Sequence, residues 1–263
     1  MAPALASLHA GMQAAGVGVV SFEASGATTA FAAGSPGEVA FLLKNKDTDR
    51  VAAYNLANRY ATGLGVARDL SASFACHLQA AKAGLSSAEY AVACLLSNGV
   101  GAPKDALASE HWMLKAARHG VADAQGCCAL YFLEGRAGFR KDGARALQWA
   151  QAAAQQGHKM GELVMAELAI DAGDNAGAAP WLERAAAQGS PRAHMLLGLS
   201  LVFGFARGVD VAAGLEHLRT ARAAPGFQLD ESARKALRMG QDLGLAQLQS
   251  AMERAAASRA GKK

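Results

Sequence analysis

The chain has 263 residues, of which 52% are hydrophobic and only 6% are aromatic. Alanine dominates the hydrophobic residues, a composition that favours closely packed helices over β-sandwiches or barrels. The 26 basic and 22 acidic side chains give a net charge of +4 and are mixed along the chain. Because no large basic region stands out, we do not expect nucleic acid to be a partner.

Residues 1–34 are rich in Ala, Gly and Ser and carry a single charged residue, Glu23. A secretory signal places basic residues before an apolar core, and the first Lys or Arg here is Lys44. We therefore expect a mobile or loosely helical leader on a cytoplasmic protein, with export as the alternative because Met12 to Val20 is apolar. No stretch is long and apolar enough to predict a membrane span. Residues 35–50 then predict a short helix that caps the N-terminal end.

The segment 88–120 recurs along the chain at a nearly fixed step. Ala88, Gly99 and Asp105 have counterparts 36 residues earlier, and the same pattern continues after residue 120. A period of this length is typical of stacked helical repeats. Within one unit, apolar positions at helical spacing predict a first helix, and Gly99 and Gly101 predict a tight turn. Asp105 is expected to cap a second helix, whose buried stripe includes Trp112.

Five such units are predicted, at residues 51–87, 88–123, 124–160, 161–192 and 193–225. Unit four lacks the glycine-rich turn, so Ala172 to Asn175 must connect its two helices alone. Residues 226–263 predict two capping helices, Leu229 to Met239 and Leu243 to Ala256, followed by a basic tail.

The recurring pattern resembles the Sel1-like repeat family, which is related to the tetratricopeptide repeats. In the first unit, the residues that match the family pattern are Ala52, Leu56, Ala57, Tyr60, Gly63, Gly65, Val66, Asp69, Ala80, Ala81 and Gly84. The resemblance implies an all-α fold, a right-handed α/α superhelical solenoid of helix-turn-helix repeats. It further implies an adaptor in protein complexes, often in bacteria, with no catalytic activity and no cofactor.

In such a solenoid, the concave side is expected to bind the partner, a protein or a peptide. The first-helix positions outside the buried stripe are Tyr54, Asn58, Tyr90, Cys94, Asn98, Asp123, Glu134, Glu167, Arg192 and Met195. Tyrosines and asparagines lie toward one end of this set and acidic residues in its middle. This arrangement predicts a groove for an extended peptide with basic side chains.

Other motifs in the chain do not predict an active site or a metal site. No Cys-x-x-Cys spacing occurs among the four cysteines, Cys76, Cys94, Cys127 and Cys128. We therefore expect reduced thiols and no metal ligation. A Cys76–Cys94 disulfide belongs to the alternative of an exported protein acting at the envelope or on a host. Ser232 begins a Ser-x-x-Lys match, but the partner motifs of a penicillin-recognising enzyme are absent.

Overall fold

The computed structural model describes residues 19–24, 27–206 and 208–260. Near the N-terminus, strands β1 (Val19–Ala24) and β2 (Ala27–Ala32) pair antiparallel, with Val20 opposite Phe31. This hairpin corrects the expected mobile or loosely helical leader for these residues, and the rest of residues 1–26 lies outside the described part. Strand β1 contains two valines and a phenylalanine, and β2 contains two threonines and a phenylalanine, residues that favour extended backbone.

The remaining regular structure in the described residues is helical. The helices are α1 (Pro36–Asn45), α2 (Arg50–Thr62), α3 (Leu70–Lys82), α4 (Ser86–Asn98), α5 (Ala106–Arg118), α6 (Ala122–Glu134), α7 (Gly143–Gln155), α8 (Lys159–Asp171), α9 (Asn175–Ala187), α10 (Pro191–Phe203), α11 (Val211–Ala223), α12 (Glu231–Leu243) and α13 (Leu245–Ala260). The ten helices from α2 to α11 are each 13 residues long and form five consecutive pairs, which confirms the predicted all-α repeat architecture.

An aspartate starts the second helix of every repeat, as predicted for Asp105. The carboxylate of each accepts a hydrogen bond from a backbone N–H group in the first helical turn, and such groups have no partner within the helix. The capping residues are Asp69, Asp105, Asp142, Asp174 and Asp210. The repeat therefore marks the boundary of its second helix with a specific side chain.

Glycines shape the turn between the two helices. Gly99 ends α4 with a φ of 69°, in the left-handed region that a side chain disfavours. Gly101 follows with a φ of 74°, and a Cβ atom there would lie 2.1 Å from the carbonyl oxygen of Leu70, at the start of α3. The second glycine is thus required by close contact with the preceding repeat as well as by its backbone conformation.

Repeat four has the short turn that its sequence predicts. Helix α8 ends at Asp171 and α9 begins at Asn175, so three residues connect them. Gly173 takes a φ of 82°, and the Asp174 carboxylate accepts from the N–H of Gly177 at 2.8 Å. One glycine and one aspartate are sufficient to reverse the chain here.

The tryptophan of the repeat is less buried than we expected. Trp112 is half-buried at the edge of the apolar cluster formed by α2 to α5, and Lys115 Nζ lies 4.8 Å from the centre of its ring. The guanidinium carbon of Arg184 likewise lies 4.4 Å from the centre of the Trp181 ring. Alanines such as Ala116 and Ala117 fill the buried positions, which brings the helix backbones close together.

The chain forms two compact units. The first comprises residues 1–124 and 135–140, and the second comprises residues 125–134 and 141–263. In the second unit, α12 and α13 follow the last repeat and pack against α10 and α11, where Leu215, Leu218 and Leu248 are fully buried. Among the described residues, no helix is both long enough and apolar enough to cross a lipid bilayer.

Candidate functional site

A shallow groove of about 400 Å³ opens on the second compact unit. We call it the acidic groove. Its lining residues come from the first helices of repeats three, four and five, except for Lys141, which precedes α7. They are Leu133, Glu134, Lys141, Glu167, Ile170, Asp171, Arg192 and Leu196. Consecutive first helices therefore present one shared surface in this unit.

Local helix geometry brings the acidic groove together. Glu167 and Asp171 lie four residues apart on α8, and Arg192 and Leu196 are four apart on α10, so each pair shares one helix face. Glu134 is the last residue of α6. The equivalent positions of neighbouring repeats thus supply the charges and the apolar contacts of the groove.

Arg192 holds two carboxylates at the centre of the acidic groove. Its Nε lies 2.5 Å from Oε1 of Glu167, and its Nη1 donates to Oε1 of Glu134 at 3.2 Å. The Glu167 side chain is only 9% exposed. Burial raises the pKa of the Glu167 carboxyl, and the positive charge of Arg192 counteracts this only in part. The charged cluster is therefore fixed in position by the fold.

The charges that line the acidic groove do not cancel. Three acidic residues, Glu134, Glu167 and Asp171, face two basic ones, Lys141 and Arg192. Leu133, Ile170 and Leu196 add apolar surface beside them. Such a surface can accept a basic side chain together with an apolar neighbour, the usual combination in peptide recognition.

The structure brings together three of the predicted partner-binding residues, Glu134, Glu167 and Arg192. The others of the set lie elsewhere. Five of them belong to the first compact unit: Tyr54, Asn58, Tyr90, Asn98 and Asp123. Tyr54 is half-buried and meets the His77 ring edge-on, with 5.2 Å between ring centres. Asn98 is exposed, and its side-chain amide donates to the carbonyl of Cys94 at 2.8 Å.

The assignment of Met195 to the partner-binding surface is wrong. Its side chain is 8% exposed and belongs to the apolar cluster that includes Leu215, Leu229 and Leu237. Helix α12 packs against α10 after the last repeat and contributes to this cluster. The capping helices therefore bury a position that an isolated repeat would leave exposed.

Sequence reasoning missed five lining residues of the acidic groove: Leu133, Lys141, Ile170, Asp171 and Leu196. The signal for Asp171 was available, because it follows the predicted Glu167 by one helical turn. Lys141 precedes Asp142, the helix cap, in a connection that carries one inserted residue relative to the other repeats. Nothing in the repeat pattern distinguishes that lysine from a solvated loop residue.

Three polar pairs, each with one buried member, were also missed, and they occur within single repeats. Glu89 is fully buried on α4, and its carboxylate lies 2.7 Å from Nδ1 of His119, at the end of α5. In repeat three, Nε2 of Gln156 donates to Oε1 of Gln125 at 2.7 Å. In repeat four, Nε2 of Gln188 donates to Oε2 of Glu162 at the same distance. These contacts join the first helix of a repeat to the end of its second helix, and they stabilise the fold rather than form a binding site.

The residues that could suggest catalysis or metal binding do not gather into a site. In the structure none of the four cysteines is joined in a disulfide, so no Cys76–Cys94 bridge is present. Ser232 is exposed on α12. Across residues 32–206 and 208–260, no group of three or more metal-binding side chains was found.

Paired helices of constant length, aspartate caps and glycine turns define a helical-repeat protein of the solenoid class. The Sel1 repeat pattern is matched at residues 50–85, 86–121, 124–158 and 167–190, and the chain belongs to the Sel1 repeat family. Proteins of this family are generally non-catalytic scaffolds that bind other proteins. No curated protein has a significantly similar sequence.

Solved structures support the fold. The crystal structure of a Sel1 repeat protein from Oxalobacter formigenes matches with a TM-score of 0.64 and 23% identity, over 86% of this chain and 94% of that one. A protective antigen of uropathogenic Escherichia coli with an SLR fold, c5321, matches with a TM-score of 0.63 and 22% identity. That match covers 81% of this chain and 50% of the antigen.

Proposed function

We propose that the protein is a non-catalytic scaffold that binds a peptide segment of a protein partner in the acidic groove. The observation that carries this proposal is the excess of carboxylates beside apolar side chains on the first helices of repeats three to five. The bound segment would carry a Lys or Arg side chain next to an apolar residue. Nucleic acid is not expected to bind in the acidic groove, because its phosphates would meet this excess negative charge.

Asp171 is the residue at which a basic side chain of the peptide would bind. Among the described residues, its carboxylate makes no hydrogen bond or ion pair, whereas Glu134 and Glu167 are both engaged by Arg192. A cationic side chain at Asp171 would gain a charge-assisted hydrogen bond without breaking the existing cluster. Ile170 and Leu196 would contact the apolar part of the segment.

The test compares synthetic peptide libraries in which Lys or Arg flanks an apolar residue with libraries in which Gln replaces the basic residues. The basic library should be enriched on the immobilised protein. Asp171→Lys should weaken the enriched peptides about tenfold. The control is Asp242→Lys, an equal charge change at an exposed residue of α12 outside the groove, which should leave binding unchanged. Equal enrichment of both libraries, or equal binding by Asp171→Lys and the wild type, would refute the proposal.

We further propose that the protein acts in the cytoplasm. Cys76 is buried, and burial raises the pKa of its thiol, which disfavours the thiolate needed for disulfide formation. The alternative is an exported protein at the envelope or on a host, with a Cys76–Cys94 disulfide. Cell fractionation with thiol labelling separates the two, since the cytoplasmic protein should have four reactive thiols after unfolding. An extracytoplasmic protein with oxidised Cys76 would reject the cytoplasmic assignment.

A further inference from the structure

A second groove in the second compact unit carries the opposite charge. It has a volume of about 260 Å³ and is lined by Arg222, Leu229, Arg234, Leu237, Arg238 and Gln241. We call it the arginine groove. Arg222 lies in the last turn of α11, Leu229 in the connection that follows, and the other four residues on α12. The groove is therefore built by the capping helices and not by the recurring repeat surface.

The three arginines of the arginine groove are not neutralised. No acidic residue lines the groove, and within the described chain no carboxylate lies at ion-pair distance from these guanidinium groups. Arg234 Nε donates only to the carbonyl of Asp230, at 3.3 Å. The Asp230 carboxylate instead accepts from the N–H of Ala233 at the start of α12. Three like charges around one depression repel each other, and an anionic partner would relieve that repulsion.

The spacing of the arginines on α12 favours a short ligand. Arg234 and Arg238 are four residues apart and share one face of the helix, and Leu237 lies between them toward the core. Guanidinium groups bind carboxylates with two parallel hydrogen bonds, and Leu229 and Leu237, at 7% and 8% exposure, leave only a small apolar surface beside the arginines.

We infer that the arginine groove docks an acidic peptide segment, in which Glu or Asp residues flank an apolar residue. Charge complementarity supports this occupant, and the small exposed parts of Leu229 and Leu237 lie beside the charges. A nucleic acid would satisfy the arginines, but three cations over about 260 Å³ offer little of the extended basic surface that tracks a phosphate backbone. This inference concerns a different groove from the acidic groove and would give the scaffold a second site of opposite specificity.

The test exposes the full-length protein to synthetic peptide libraries in which Glu or Asp flanks a Leu or Phe, beside matched libraries with Gln and Asn in place of the acids. The acidic library should be enriched, and the affinity of enriched peptides, measured by fluorescence anisotropy, should fall with rising salt. Arg238→Glu should weaken them about tenfold. Lys235→Glu is the matched control: it makes the same charge change at an exposed α12 residue that does not line the groove, and affinity should change less than about twofold.

Several outcomes would overturn the inference. One is equal enrichment of the neutral library, and another is undiminished binding by Arg238→Glu after circular dichroism has shown that the variant is folded. If Lys235→Glu lost as much affinity as Arg238→Glu, the peptides would be attracted by the net charge of the protein and would not be bound in the groove. Binding only to single-stranded DNA or to phosphatidylserine vesicles would identify the wrong class of partner. Arg238→Glu should leave binding of basic peptides unchanged, so failure here is separable from failure at the acidic groove.

Discussion

Replacing Gly161 with alanine tests whether repeat four packs as closely as its sequence suggests. Gly161 stands at the repeat position that is alanine elsewhere, as at Ala52, Ala88 and Ala124, all of which are completely buried. A Cβ atom on Gly161 would lie 2.5 Å from Cβ of Ala153, 2.6 Å from N of Ala154 and 2.8 Å from O of Ala150. All three distances are shorter than a real Cβ atom tolerates. Helices α7 and α8 are therefore too close for even a methyl group.

Two opposing effects set the expected magnitude for Gly161→Ala. Alanine stabilises a helix interior by about 1 kcal/mol relative to glycine. Overpacking costs about 1–3 kcal/mol, and the upper part of that range applies because two of the three nearest atoms belong to the backbone. We expect the free energy of unfolding to fall by about 1–2 kcal/mol. The melting temperature should fall by about 2–8 °C for a chain of this size.

Urea unfolding followed by circular dichroism measures this change directly. Gly143→Ala is the matched control, because Gly143 begins α7 and a Cβ atom there would have no neighbour within 4 Å. That variant should gain about 0.5 kcal/mol. If Gly161→Ala were as stable as the wild type, the close approach of α7 and α8 would be refuted, and helix propensity alone would account for both variants.

Substitutions at three further sites test the helix cap and the buried polar groups. Asp105→Ala removes the acceptor for the N–H of Ala108 at 2.9 Å and should cost about 1 kcal/mol in urea unfolding, whereas Asp105→Asn should keep most of that stability. Burial lowers the pKa of His77 to about 4, so as pH falls from 6.5 to 4 the unfolded chain binds a proton that the folded chain does not. His77 should contribute a loss of about 3 kcal/mol over that interval, and His77→Leu should remove that contribution; identical pH profiles of the variant and the wild type would contradict the assignment. Lys115→Ala removes the Nζ that lies 3.0 Å from the fully buried Glu89 carboxylate and leaves that buried charge without its lysine partner, which should cost about 3 kcal/mol by thermal unfolding; a loss below about 1 kcal/mol would mean that solvent replaces the contact.

The repeat itself could be predicted from the sequence because its determinants are local and recur. Glycine turns and aspartate caps act within a few residues, and each recurrence supports the others, as the agreement between Asp105 and its four counterparts shows. The hairpin near the N-terminus occurs once, so periodicity gave no information about it. Alternating residues over only six positions were too weak a signal against an Ala- and Gly-rich background.

The acidic groove could be predicted only in part. The repeat pattern alone was sufficient to place Glu134, Glu167 and Arg192 on the first helices of their repeats. Their mutual contact joins residues as far as 58 positions apart and depends on how neighbouring repeats stack. The burial of Met195 depends on α12, which has no repeat pattern, and the three arginines of the arginine groove likewise come together only when α12 packs against α11.

The buried polar pairs within repeats two, three and four bear on how such a chain can evolve. Glu89 finds its partner in the same repeat, as do Gln125 and Glu162. A gene duplication or deletion of one whole repeat would therefore carry both members of each pair together and would not break these hydrogen bonds. Loss of half a repeat would separate them, at the cost that an orphaned buried group imposes. The chain can thus lengthen or shorten in whole repeats while these within-repeat pairs stay intact, whereas the contact of Glu167 with Arg192 joins neighbouring repeats and would need a new partner.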